Sequence, residues 1–278
     1  MSTLDSLLLN QPPLKPSAVQ GSIIDFFQSH NVSWDFLLKE LLTSDIPNSP
    51  WGQYQLMYDL FISLVLNQLS ENKFHCESLK TLSDYNTKIM KSCEWTQFQP
   101  LEVLYQINRF LLKQKVSPPP IQQFPTGSAP IESSNITPQN AGVFFPSHLE
   151  LGFLWGIFGY LTENSNFCEA AKKLASWHSH LLNHLFEPSI GVFTKEKDHN
   201  QDEHSLAHYM LFRLIAMLFK EGSYESLATY QLKRLQSSNL NTCSSLAKYA
   251  LLNTWIRKNL DYVSPQPPKK ESILLDPY

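Results

Sequence analysis

Charge is what this chain has least of. Charged side chains make up only 17% of its 278 residues, against roughly a quarter in an average globular protein. The 22 basic and 25 acidic residues leave a formal charge of −3, with no long run of one sign. Phosphate backbones are bound by concentrated basic stripes, so nucleic acid is not expected as a partner. Cysteine is also scarce: Cys76, Cys93, Cys168 and Cys243 form no CxxC pair. That excludes the zinc-ribbon and thioredoxin motifs and fits reduced thiols in a cytosolic protein. P-loop, dinucleotide-binding glycine fingerprint and GxSxG elbow are all missing, which removes the easily recognised nucleotide-binding and serine-hydrolase chemistries. Long apolar runs are missing too. Leu151 to Leu161 is far shorter than the approximately 20 residues that span a bilayer, so no membrane partner is expected. The opening MSTLDSLLLN has neither a basic n-region nor a sustained apolar stretch. The expected location is therefore cytoplasmic, or outside the cell by a route that needs no classical signal peptide.

What the chain does have is apolar and aromatic bulk, 42% hydrophobic and 12% aromatic residues, enough for a sizeable core and unlike a disordered chain. The bulk recurs at helical spacing. Trp34, Leu37, Leu38, Leu41 and Leu42 form one such stripe, and Leu56, Leu60, Phe61, Leu64 and Val65 another within 53–69. Further helices are expected near 74–92, 99–114, 147–161, 166–186, 202–220, 223–237 and 241–260, with Gly222 as a stop. The expected fold class is all-α, built of antiparallel helical hairpins, because each amphipathic helix must cover its stripe with a neighbour. A bundle, a helical-repeat array and an α/α toroid all meet that requirement.

The expected organisation is an N-terminal arm at 1–20, an N-terminal helical region at 21–115, a linker or long loop at 116–146, a C-terminal helical-hairpin region at 147–262, and a tail or the start of a further domain at 263–278. The arm carries Pro12, Pro13 and Pro16. The linker holds seven of the eighteen prolines in 31 residues, and proline fixes φ while removing a backbone donor.

Chemistry-bearing residues gather in the C-terminal half. In SLAHYMLFRLIAMLF the one charge is Arg213, on a helix apolar around nearly its whole circumference, so it needs a carboxylate, carbonyls or water. Gly152, Gly156 and Gly159 lie on one side of LGFLWGIFGYL, where another helix can approach closely. Six of nine histidines fall between 178 and 208. His180 with His184, and His204 with His208, are HxxxH pairs whose members share a helix face, and each pair offers two metal ligands, suited to zinc, manganese or iron. Packed or surface histidines explain the same spacing, and no other cofactor is expected. The loop EPSIGVFTKEKDHNQDE adds Glu187, Glu196, Asp198, Asp202 and Glu203, and paired carboxylates beside a cleft permit general acid and base work.

Over residues 147–260, the run of hairpins with aromatic-rich helices and a GVF-containing acidic loop before a buried helix resembles α/α-toroid domains of the six-hairpin glycosidase type. The resemblance implies a carbohydrate groove at one end of the toroid, served by a hydrolase or lyase, and marks Glu196, Asp198, Asp202, Glu203 and His204 as catalytic candidates. The residues themselves favour a different expectation. With no catalytic motif, stacked hairpins read as a helical scaffold that binds a protein partner, with the carbohydrate-active enzyme as the alternative.

Overall fold

In a computed structural model, the structure describes residues 41–43, 45–48, 50–69, 76–92, 98–127, 129, 145–185, 200–237 and 255–256. Among these the fold is all helical, and seven helices have defined limits: α1 (Pro50–Leu69), α2 (Cys76–Ser92), α3 (Gln99–Leu111), α4 (Phe145–Leu161), α5 (Ser165–Leu185), α6 (Asn200–Phe219) and α7 (Gly222–Ser237). None is long and apolar enough to cross a membrane.

Helix limits follow local chemistry. Pro50 opens α1, and Pro100 stands in the first turn of α3, positions where the missing N–H costs nothing. The ends of α3 and α4 are made by left-handed residues that are not glycine. Lys113 has φ 58° and Glu163 φ 54°. After α3 the Gln114 N–H donates to the Arg109 carbonyl at 2.9 Å and Lys113 to Phe110 at 2.9 Å; after α4, Asn164 donates to Gly159 at 2.8 Å and Glu163 to Tyr160 at 3.3 Å. These paired bonds satisfy carbonyls that a helix end otherwise leaves open. Between α6 and α7 the left-handed residue is Lys220, with φ 56°. Gly222, which the sequence suggests as the stop, instead opens α7.

In the first half, α1, α2 and α3 pack mutually. Leu56, Leu60, Phe61, Leu64 and Val65 of α1 are all buried, as their spacing predicts. A buried amide network crosses the three helices: Asn108 Nδ2 of α3 donates to the Met57 carbonyl at 3.1 Å and to Asn86 Oδ1 at 3.3 Å, while Asn86 Nδ2 donates to the Tyr105 carbonyl at 3.3 Å. Trp255 lies edge-on to Phe61 at 6.2 Å and donates to Gln68 Oε1 at 2.7 Å.

The chain after α3 crosses to the second half as an extended strap. Gln99 holds it from both sides, its Nε2 donating to the Gln122 carbonyl at 3.2 Å and its Oε1 accepting from the Gln122 N–H at 3.1 Å. Gln123 Nε2 then reaches the Ala170 carbonyl of α5 at 2.9 Å. Gly127 sits at φ 94°, and an added Cβ there would lie 2.6 Å from the Lys173 carbonyl oxygen, so only glycine makes this approach without strain. In the second half, α4 packs on α5 and α6, and α6 on α7. Because α4 also packs on α3, one hydrophobic core runs from Leu41 and Met57 through Leu104 to Trp155, Phe212 and Ile256.

Candidate interaction cleft and buried histidine layer

Helix α4 is the axis of the second half. Every residue from Leu149 to Gly159 is buried except Glu150, which is half-buried. It has no polar face, and its glycines decide how close its neighbours come. A Cβ on Gly152 would lie 2.9 Å from Leu174 Cδ2 and 3.2 Å from Leu211 Cδ1, and one on Gly156 2.7 Å from Leu214 Cδ2. One on Gly159 would meet Cys168 N at 2.7 Å and the Asn164 carbonyl oxygen at 2.9 Å. The close approach expected from the glycine spacing is present, and it serves two helices, α5 and α6. The contacts run in layers, α4 antiparallel to α5 and in the same direction as α6.

At one end, His148 of α4, His178 of α5 and His208 of α6 form a layer. The His148 and His178 rings are 6.2 Å apart at 73°, and those of His178 and His208 5.3 Å apart at 86°. Trp177 closes the layer, 5.8 Å from His148 and 4.9 Å from His178, and Phe212 lies 5.6 Å from His208. Relative exposures are 0% for His148 and His178 and 7% for His208. Neither ring nitrogen of His148 makes a hydrogen bond of normal geometry, although the Ala129 backbone approaches it. Burial pushes this imidazole down to about 4, with the Ala129 backbone acting in the opposite direction.

Of the two histidines singled out by spacing whose side chains are described, His208 enters this layer and His180 does not. His180 is exposed, since two residues beyond the inward-facing His178 a helix has turned about 200°. His184 and His204 lie on α5 and α6 with side chains outside the described residues, as do Asp202 and Glu203 on α6; Glu196 and Asp198 lie wholly outside them. Among the described residues no group of three or more His, Cys, Asp or Glu side chains is placed to hold a metal ion. Spacing within one helix missed His148 and His178, because the layer is assembled across three helices. The mostly apolar surroundings of His148 in FFPSHLELGF were the available signal.

At the other end, the α4–α5 turn and the end of α6 enclose an open cleft of about 550 Å³. Tyr160, Leu161, Leu218 and Phe219 line it, each half-buried, and Glu163 and Glu169 stand exposed at its edge. Cys168 is also in the lining; burial, and then the Glu169 charge, push its thiol up. Such a thiol stays protonated at neutral pH and is a poor nucleophile. Beside the cleft, Lys172 pairs with Glu221 and lies 4.6 Å over the Phe219 ring.

No protein-family description matches this chain, and no curated protein or solved structure matches it either.

Two other polar groupings serve the packing. Arg213 pairs with Glu225 of α7, the carboxylate that a lone arginine on an apolar helix requires. Tyr54 of α1 donates to Glu150 Oε2 of α4 at 3.0 Å, tying the halves together. Burial, and then Glu150, push the Tyr54 and Tyr58 phenols up, and burial followed by the Asp59 charge brings Tyr85 to about 12. All three phenols are therefore protonated at neutral pH and are not bases.

Proposed function

We propose that this protein is a helical scaffold that binds another protein through the cleft between the α4–α5 turn and the end of α6. The observation that carries the reading is the make-up of the cleft: an apolar floor of Leu161, Leu218 and Phe219 under a rim whose charged members, Glu163 and Glu169, are both acidic. An apolar floor takes up a partner's bulky side chain, which supplies most of the affinity at such sites. The carboxylates select for lysine or arginine next to that side chain and speed the encounter. Lys172 is engaged by Glu221 and Phe219, which limits its compensation of the rim charge. The protonated Cys168 thiol gives the cleft no activated nucleophile. The carbohydrate-active alternative rests on residues 196–208, and no observation on the described residues favours it.

Selection from a displayed random-peptide library tests the reading. Peptides with a large apolar residue beside lysine or arginine are expected to be enriched, and the enrichment should vanish on a Glu163→Lys, Glu169→Lys double variant whose circular dichroism is unchanged. A consensus that lacks the basic residue, or survives the double variant, contradicts the proposal.

A further inference from the structure

The histidine layer lies at the opposite end of the α4–α5–α6 contact from the cleft. Each helix contributes one imidazole to it, with ring separations of 6.2 and 5.3 Å. Among the described residues the groups around the layer are mostly aromatic. Helix α5 brings Trp177 and turns His180 outward. Helix α6 brings Phe212, while its Tyr209 is buried and its Arg213 pairs with Glu225 of α7. Helix α7 also sets Tyr224 6.0 Å from Phe212. The strap contributes the Ala129 backbone. Helix α1 brings Tyr54 to Glu150, two residues beyond His148, with Tyr58 under the influence of the same carboxylate. Helix α3, which packs on α4, carries Glu102 and Arg109, the latter over its own Tyr105 ring. Among the described residues no charged neighbour offsets the cost of burial at His148. A neutral imidazole suits this setting. An imidazolium is penalised by the missing solvent, and a second one also by repulsion from the first.

We propose that the His148–His178–His208 layer is an acid-sensitive joint: proton uptake by the layer forces α5 away from α4 and α6, so the three-helix unit is closed at neutral pH and opens on mild acidification. The direction follows from proton linkage. An unfolded or opened chain takes up the proton near the ordinary imidazole value of about 6.5, whereas the packed His148 ring does so only near about 4. Stability from this ring is therefore complete above about pH 6.5 and is lost as the pH falls toward about 4. The joint stands on the packing of the layer alone and does not depend on what the cleft binds.

Hydrogen exchange read helix by helix, after correction for intrinsic exchange rates, tests the joint. Between about pH 7.5 and about pH 5, opening of α4 and α5 should rise by on the order of tenfold or more in the intact chain. In His148→Phe the rise should shrink several-fold. An unchanged rise in that variant, or none in the unaltered protein, overturns the proposal. Should His148→Phe fail to fold, nitrogen-15 spectra of the unaltered protein decide: a His148 imidazole still neutral at about pH 6 is expected, and one that titrates near about 6.5 without any opening of the helices overturns it.

Discussion

The three glycines of α4 look alike in sequence and differ in what they face. At Gly152 the nearest atoms to an added methyl are the ends of Leu174 and Leu211, which can rotate aside. At Gly159 they are the Cys168 backbone nitrogen and the Asn164 carbonyl oxygen, which cannot move without shifting the α4–α5 turn. Replacing a helical glycine by alanine contributes about 1 kcal/mol from propensity, and overpacking costs about 1–3 kcal/mol. Gly152→Ala is therefore expected to lie within about 1 kcal/mol of the parent. Gly159→Ala should be destabilised by about 2 kcal/mol despite the better helix former, as measured by urea unfolding. The sequence made the shared face legible, because spacing alone puts these glycines on one side. Which of them abuts backbone depends on the turn at 162–164, whose left-handed Glu163 carries no glycine signal. Arg213 was legible in the same partial way: its isolation on an apolar helix demanded an anion, but Glu225 belongs to another helix.

At the scale of elements, helix existence was readable and helix ends less so. The prolines and the apolar periodicity locate α1 and α3 closely, since proline and periodicity act within a single turn. The C-terminal ends are harder to read. Lys113, Glu163 and Lys220 all adopt φ near 55°, a conformation that costs a side-chain-bearing residue about 1 kcal/mol or more, and tertiary packing imposes it. Lys113→Gly should relieve that strain just beyond the end of α3. A gain of about 0.5–1 kcal/mol is expected, less whatever the more flexible unfolded chain takes back, read as a higher thermal midpoint. The histidine layer was hidden at this scale. HxxxH spacing describes one helix, whereas His148, His178 and His208 meet through the antiparallel register of α4 on α5 and the common direction of α4 and α6. Single-helix spacing does not encode register.

For the whole molecule, one apolar core passes through α3 and α4 and reaches both sides of the proline-rich stretch. The strap that crosses between them is held by side-chain amides, Gln99 to Gln122 and Gln123 to Ala170. Its composition suggests a linker, and nothing in it announces these contacts, because glutamine is equally at home in solvent. The cleft is legible only in three dimensions, being made where the end of α6 meets the turn between α4 and α5. Receipt of a protein side chain by this cleft, as proposed above, is tested by a photoreactive phenylalanine analogue in place of Tyr160. On illumination in cells that make this protein, the account predicts one discrete crosslinked protein, lost when Glu163 and Glu169 are both changed to lysine and absent when the photoreactive residue stands at exposed Lys80 on α2. Crosslinking that is equal from Tyr160 and Lys80, or indifferent to the two carboxylates, would contradict it.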